Sequence, residues 1–595
     1  MSSLTSQRLG ILAVVAGLAI VPWVFGSFTV SLFNDIGMAA LVVLGLVLLS
    51  GVAGVISFGH AAFVGIAAYA SAWLSTEYAI SPWFGLPFAL GVTALSALVI
   101  GALTLRLGGH YLPLSTIAWG LVVPLLFGNM AMLGRHSGIS DIAPLSLGDW
   151  QLMTAESAFY IIWILVGLVA TFCYHLLNSR MGRAVRAVRG GNVLLASFGA
   201  NIFHVRLMLF VLSAVFAALA GWLYAHTNRF VSPAPFSLHV SIDYMFMMVV
   251  GGMTQLTGAL AGATIVIAVK NVLQDLLPLV SRHAAQIQAV AFSTLFILLL
   301  HHARGGILSL ASKMARVKTP APTQMHDAEP PVEPLPRRSL PDKGQPLLSV
   351  EAATKRFKGL VAVNEVSFHV KSGEMVGLIG PNGAGKSTMF NLMTGTLQLS
   401  SGRTEFMGEN ITRRSQRDIA LMGMARTFQH VKLRPQMSVL DNVALGAHAR
   451  GQCGMLRAGF NLDTEEERRI HAEARRQIAR IGLEGQEMEA AGNMPLGTQR
   501  LIEIARALAA DPVLLILDEP AAGLRKAEKQ ALADLLSRLR KEGVTIMIVE
   551  HDMDFVMKLV DRLIVMNFGT KLFEGDPQAA RADLGVREAY LGHAA

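Results

Sequence analysis

Two hydrophobic patterns divide the chain. From residue 9 to about 302, apolar residues come in long runs near 9–26, 36–53, 58–76, 86–105, 112–133, 158–177, 206–226, 240–253, 257–273 and 286–302. A membrane helix needs about 20 such residues. The pattern therefore predicts a polytopic α-helical membrane domain over 1–312, with eight to ten helices. The break at 51–58 is short and glycine-rich. The runs around Gly251-Gly252 read either as one broken helix or as a re-entrant turn. From Leu347 onward the apolar runs are short and continuous: Met375–Ile379, Val513–Leu517 and Val544–Val549. Such runs are buried parallel strands, so 347–595 is expected to be an α/β domain of the P-loop NTPase class, with a helical subdomain near 435–510. Between the two, 313–346 holds eight prolines and many charges and reads as a solvated, semi-rigid linker.

Composition agrees with this division. The 595 residues are 53% hydrophobic and 15% charged, against about 45–50% and about 25% in an average soluble domain. Two cysteines, Cys173 and Cys453, exclude a disulfide framework. The net charge of +9 needs no nucleic-acid partner, because cytoplasmic loops of membrane proteins collect Lys and Arg. The 178–206 connection carries Arg180, Arg183, Arg186, Arg189 and Arg206 without an acid, and is expected in the cytoplasm. Arg106 and Arg304 fall on the same side, which puts both termini there and leaves 134–157 outside. Arg135 in that outer loop opposes the rule. Arg8 before Leu9–Val24 could open a signal peptide, but the many following runs make it a retained first span. His60, Asn34, Asp35, Asp243, Lys270 and Asp275 sit near span ends and are expected to reach the headgroups. Gly45, Gly51, Gly54 and Gly59 suit close helix packing.

The chemistry concentrates at Gly380-Pro381-Asn382-Gly383-Ala384-Gly385-Lys386-Ser387-Thr388. This is G-x-x-x-x-G-K-[ST] between a strand and a helix, a phosphate-binding loop. Backbone N–H groups and the helix N-terminus would face phosphate oxygens. Lys386 would reach the β- and γ-phosphates, and Ser387 would hold Mg²⁺. Ligands of such sheets bind at the carboxyl ends of the strands. Asp518 stands there and would accept a Mg²⁺-bound water. Glu519 would polarise the water that attacks the γ-phosphate, and His551, ending the next core strand, would sense that phosphate. In the basic loop, Asn192 can cap a short helix that Gly199 ends, with Val193, Leu194, Leu195 and Phe198 on one side. That face is expected to dock on the attached ATPase as a coupling helix; a helix lying in the lipid interface is the alternative.

The order of phosphate loop, Gln429, signature-like turn, Asp518-Glu519 and His551 resembles an ABC transporter ATPase. Lys355-Arg356-Phe357, Gly359–Val363, Ala425-Arg426-Thr427-Phe428-Gln429 and Glu503–Leu508 resemble the high-affinity branched-chain amino acid importers. Ser57–Phe63, Arg180–Gly199 and Val249–Met253 resemble the permease of the same system. The resemblance covers the chain outside the linker: a permease fused to an ATP-binding subunit. It implies that Phe357 stacks on adenine and that Gln429 touches Mg²⁺ and senses the membrane half. It also implies that Gly497 and its neighbours face ATP on a partner ATPase. Two departures are clear. The usual Leu-Ser-Gly-Gly-Gln is Met494-Pro495-Leu496-Gly497-Thr498 here, and Arg525 stands where an acid or amide is common. The resemblance further implies ATP and Mg²⁺ as cofactors and a bacterial inner-membrane location. Its partners would be a second permease, a second ATPase with a better signature and a periplasmic binding protein. The solute would be branched-chain amino acids, or urea, short amides or aromatic acids. An ABC exporter and a membrane-tethered ATPase without transport are the rival readings.

Overall fold

The computed structural model describes residues 16–107, 111–148, 150–280, 284–302, 306–307, 332–333 and 335–591. Arg8, Arg304 and most of the proline-rich stretch, 313–331 and 334, lie outside them. The chain forms two compact units, one of 1–177 with 203–319 and one of 178–202 with 320–595. The basic connection 178–202 thus belongs to the unit of the α/β domain, although it lies between two membrane runs in sequence.

The first unit is helical: α1 (Ser27–Leu46), α2 (His60–Tyr78), α3 (Pro82–Thr104), α4 (Tyr111–Asn129), α5 (Ala155–Leu177), then α8 (Ile202–Asn228), α9 (Leu238–Gly251), α10 (Leu256–Val280) and α11 (Ala284–His302), with a small hairpin β1 (Leu145–Leu147) and β2 (Trp150–Leu152) before α5. Six described helices are long and apolar enough to cross a membrane. Helix α1 begins at Ser27, earlier than its apolar run suggests, and continues through a π-helical stretch, Val47–Val52. It is buried along most of its length and packs against α5, α9 and α10. The runs around Gly251 are not one broken helix. Helices α9 and α10 pack on each other across a short turn. A Cβ on Gly251 would stand 1.7 Å from the Gly258 carbonyl oxygen, so only glycine permits that approach.

Several polar groups expected at the headgroups turn inward instead. His60 is buried, with Nδ1 3.3 Å from Ser57 Oγ and Nε2 3.0 Å from Ser213 Oγ. Asn34 Nδ2 donates to the Ala155 carbonyl at 2.9 Å. Lys270 pairs with Asp243 between α10 and α9. A polar group within a packed bundle is costly unless it is partnered; His60 and the Lys270–Asp243 pair are, while Asn34 is partnered through Nδ2 and leaves a buried Oδ1 without a hydrogen bond. Asp275 is exposed.

The second unit holds α6 (Arg180–Val188) and α7 (Asn192–Ala196), followed by the α/β domain. Its strands are β3 (Pro346–Phe357), β4 (Leu360–Lys371), β5 (Met375–Ile379), β6 (Ser401–Phe406), β7 (Glu409–Asn410), β8 (Met424–Arg426), β9 (Leu514–Asp518), β10 (Thr545–Val549), β11 (Arg562–Asn567) and β12 (Thr570–Gly575). One sheet runs β12-β11-β5-β10-β9-β8, parallel except for β12; the other is antiparallel, β4-β3-β6-β7. Alternate residues of the central strands serve opposite cores. Leu515, Leu517, Ile546 and Ile548 face one, and Leu514, Ile516, Met547 and Val549 the other. Burial on both faces is why these strands read as unbroken apolar runs. The helices that position the site are α12 (Lys386–Met393), α13 (Gln416–Leu421), α14 (Val439–Ala444), α15 (Thr464–Arg480), α16 (Leu496–Ala509) and α17 (Lys526–Lys541).

The end of the proline-rich segment is not a free tether. Leu335 is 6% exposed and joins the core that contains Leu433, Val439 and Leu440. Arg450 Nη2 donates to the Leu335 and Pro336 carbonyls at 3.2 and 2.9 Å. Asp511 accepts from Arg338 N at 2.6 Å, and Arg338 Nη1 donates to the Leu421 carbonyl at 2.8 Å. Proline removes N–H groups but leaves carbonyl acceptors, and this segment is held through the Leu335 and Pro336 carbonyls and the Arg338 donors together.

Candidate functional site

Strand β5 delivers the chain to the loop 380–385, and α12 starts at Lys386. Gly385 has φ +95°, and a Cβ there would stand 2.5 Å from the Ala362 carbonyl oxygen, so the turn requires glycine. Lys386 is buried, and its Nζ donates to the Gly380 and Pro381 carbonyls at 2.8 and 3.0 Å. Burial pulls its ammonium down, while Glu519, Asp518 and Glu550 pull it back up. A cleft of about 560 Å³ opens above the loop, lined by Leu360, Val361 and Ala362, by Asn382 through Thr388, and by Gln429, Glu519, Phe568 and Gly569. Phe357 is not part of that lining. It is 42% exposed at the β3–β4 turn, with Lys355 Nζ 5.2 Å over its ring. Phe568, 87% exposed in the β11–β12 turn, sits at the cleft instead. Nothing in its local sequence marks it, because β-pairing alone carries it there.

At the far wall, β9 and β10 end side by side, with Asp518 opposite Val549. Asp518 N donates to Thr427 Oγ1 at 3.1 Å. Its Oδ1 is buried without a hydrogen-bond partner. Burial pushes this carboxyl up to about 6, with Arg426 working against the rise. Glu519 has φ +46° and is tied by its N–H to the Val549 carbonyl at 2.8 Å. Gln429 Nε2 donates to Glu519 Oε2 at 3.3 Å, and His551 Nδ1 lies 3.8 Å from that same oxygen. Fully buried Glu550, a residue the sequence reading used only to mark a strand end, accepts from Ala521 N at 2.8 Å and from His551 N at 3.1 Å. It therefore holds the turn after Glu519 against the end of β10.

The signature-like turn lies elsewhere in this unit. Pro495 is the N-cap of α16 and accepts through its carbonyl from Gln499 N at 2.9 Å. It offers no side-chain acceptor to the first-turn amides. Gly497 is buried, and a Cβ there would stand 2.4 Å from Glu528 Oε1. The same carboxylate accepts from Arg525 N at 2.8 Å, at the start of α17. Thr498 is half-buried beside it. The α16 N-terminus thus faces a carboxylate of its own chain, which the helix dipole favours.

The segment 178–202 packs on the same unit. Helix α7 is capped by Gly191, at φ 105°, rather than by Asn192, which is the first helical residue. Leu194, Leu195 and Phe198 are buried. The Arg506 guanidinium on α16 lies 5.1 Å over the Phe198 ring. Gln416 Nε2 donates to the Val193 carbonyl at 3.1 Å, and Arg417 Nε to the Gly199 carbonyl at 3.0 Å. From α6, Arg183 Nη2 pairs with Glu467 Oε2 at 2.7 Å and Nη1 lies 3.2 Å from His471 Nε2. Arg180 donates to the His448 and Cys453 carbonyls at 2.6 and 2.5 Å and pairs with Glu466 at 3.2 Å. Burial and these guanidinium groups hold His448 and His471 down at about 3, so both are neutral.

Two family models match the chain: the permease component of the branched-chain amino acid transport system over 28–300 and the ABC transporter over 363–522. The high-affinity branched-chain amino acid transport ATP-binding protein LivG of Escherichia coli is 42% identical over 255 residues, which are 42% of this chain and 99% of the relative. BraF of Pseudomonas aeruginosa, described in the same words, is 38% identical over 253 residues, 42% of this chain and 99% of the relative. A solved nucleotide-free ATP-binding cassette from an ABC transporter is 30% identical, with 42% of this chain and 100% of that chain covered and a TM-score of 0.38.

Proposed function

The chain belongs to the ABC transporters of the branched-chain amino acid type, a multi-pass permease joined to an ATPase that couples ATP hydrolysis to transport, and from that premise we propose that it imports a small polar solute, most simply a branched-chain amino acid, across a bacterial inner membrane. The observation that carries the coupling is the packing of 178–202. This stretch connects two membrane helices in sequence, yet it is folded into the unit of the ATPase, with Phe198 under Arg506 of α16. The substrate rests on the two relatives, each described as a branched-chain amino acid transport ATP-binding protein. The basic loop supports a cytoplasmic ATPase.

In this reading Lys386, the loop 380–388 and the walls at 360–362 and 568–569 hold ATP. The site fits Mg²⁺. It offers a buried, unpartnered Asp518 oxygen, and Ser387 and Gln429 line the cleft, an all-oxygen set of the kind a hard cation takes. Ser387, Gln429 and, through water, Asp518 would hold it. When bound, Mg²⁺ neutralises charge on the phosphates. Glu519 orients and polarises the attacking water, steadied by Gln429, while His551 stands 3.8 Å away to sense the γ-phosphate. Phosphoryl transfer needs this positioning more than covalent chemistry. A second ATPase closes the site with its own signature. Pro495 gives no side-chain donor there, and Glu528 already lies against Gly497, so the chain's own signature is the weaker of the pair. A second permease and a periplasmic binding protein complete the transporter. ATP drives the cycle through its greater affinity for the closed state.

The test is uptake by cells or proteoliposomes that hold this chain with the partner subunits and binding protein encoded beside it. ATP-dependent accumulation of labelled leucine, isoleucine or valine is expected. Accumulation of urea, a short amide or an aromatic acid instead would replace the substrate. ATP-driven efflux, or solute-independent ATP turnover without accumulation, would overturn import.

A further inference from the structure

Beyond its charge near Asp518, Arg426 has no place in the nucleotide reading above, yet its guanidinium is heavily engaged by neighbouring side chains. It ends β8, paired with Ile516 on β9, two residues before Asp518. Its guanidinium is buried between two rings, 4.4 Å from the centroid of Phe390 on α12 and 4.9 Å from that of Phe428. Nη1 donates to Thr396 Oγ1 at 2.7 Å, Thr394 Oγ1 at 2.8 Å and Asn391 Oδ1 at 3.3 Å, all at or just beyond the far end of the phosphate-binding helix. No carboxylate lies at ion-pair distance among the described residues. A buried guanidinium is costly to desolvate, and a well-packed apolar side chain would fill the same space more cheaply.

The three residues that follow it lead to the reacting end. Thr427 accepts from Asp518 N, Phe428 covers the guanidinium, and Gln429 donates to Glu519. On its other side Arg426 lines a cavity of about 10 Å³ with Thr394, Gln416 and Ser197, room for roughly one water. Ser197 belongs to the docked segment, and Gln416 already binds that segment through the Val193 carbonyl. The Arg426 Nε is buried without a hydrogen-bond partner.

We propose that Arg426 is a positioning residue for ATP hydrolysis, clamping the end of the phosphate-binding helix to the strand end that presents Gln429, and that the segment 192–199 acts on the metal side of the nucleotide site through it. The first half rests only on the ATPase. The second rests on the coupling reading above. A shift of either end of the clamp moves Gln429 relative to Ser387, and misplacement by about 1 Å can cost about a hundredfold in rate.

The experiment uses the full chain assembled with its partner subunits in lipid nanodiscs, without solute, so that its outcome is independent of transport. Wild type, R426Q and R426K are compared in two measurements: binding of a fluorescent ATP analogue in EDTA, and ATP turnover against Mg²⁺ concentration. For R426Q, metal-free nucleotide affinity is expected within about twofold of wild type, while turnover falls about a hundredfold and half-saturating Mg²⁺ rises about fivefold or more. R426K restores part of both. Turnover near wild type overturns the proposal. So does a parallel loss of turnover and metal-free binding with unchanged Mg²⁺ half-saturation, the mark of a purely structural role. If R426Q does not fold, the double variant T394V/T396V removes two acceptors and leaves the guanidinium. It must raise half-saturating Mg²⁺ in the same direction, and an unchanged value refutes the clamp. For the second half, R426K must uncouple uptake from ATP turnover in the assembled transporter, and uptake per ATP equal to wild type refutes it.

Discussion

Replacing Arg183 by methionine tests what holds the docked segment in place. Arg183 is 1% exposed and pairs with Glu467 at 2.7 Å. Methionine keeps most of the packing volume and removes the charge. Glu467 then remains half-buried, still accepting the Arg180 N–H but without the guanidinium that pairs with it. Breaking one side of a fully buried pair costs about 3–5 kcal/mol; Glu467 keeps some solvent, so the low end of about 3 kcal/mol applies, roughly a hundredfold in the docking equilibrium at about 1.4 kcal/mol per tenfold. Removing both charges is far cheaper, because no buried ion is left alone. R183M/E467Q should therefore recover about 1–3 kcal/mol of the single variant's loss. The readout is hydrogen exchange of the 180–199 amides in the full chain, corrected for intrinsic rates. The expected order of protection is wild type, then the double variant, then R183M. If R183M exchanges like wild type, or if the double variant loses the sum of the two single losses, the pair does not fasten the segment.

Three further outcomes follow from the same geometry. His448 and His471 are held down at about 3 beside Arg180 and Arg183, so undocking lets them take up protons below their ordinary value of about 6.5; the released form binds more protons between those values, docking weakens as pH falls from 6.5, by up to about 1.4 kcal/mol per unit for each histidine, and H471Q should flatten the pH dependence of exchange at 180–199, an unflattened curve counting against it. Replacing the buried Leu335 by alanine removes an anchor of the proline-rich segment at about 2–5 kcal/mol, or a drop of several degrees in the melting midpoint of the ATPase unit, whereas a midpoint unchanged from wild type would show that the segment is not part of that core. E519Q keeps the shape at the cleft and removes the carboxylate that Gln429 and His551 approach, so ATP turnover should fall by about 10²–10⁴ with nucleotide binding retained, and turnover within tenfold of wild type would remove Glu519 from the role of general base.

What was legible in the sequence was local or periodic. Long apolar runs marked a membrane domain, and short unbroken ones marked a parallel sheet, because burial on both faces leaves no polar positions. The phosphate loop was readable because its glycines, lysine and serine act within nine consecutive residues. The apolar side of 193–198 could be seen for the same reason, though its cap could not, since Gly191 and Asn192 are both acceptable at a helix start. Partners distant in sequence were not legible. The place of Phe568 at the cleft depends on strand pairing. The engagement of Arg426 depends on two rings, Phe390 and Phe428, that only the β8–β9 register and the packing of α12 bring together. The inward turn of His60 and the Asp243–Lys270 pair depend on which helices meet.

The sequence by itself thus determined the class of each half and the phosphate-binding loop, because periodicity and a contiguous motif need no knowledge of neighbours. The tertiary structure decided that residues 178–202 belong with the ATPase, that the end of the proline-rich segment is anchored in its core, and that Glu519, Gln429 and His551 converge. Each of those depends on burying charged or apolar groups against residues more than a hundred positions away or across parallel strands, and desolvation is a property of the assembled neighbourhood rather than of any stretch of chain.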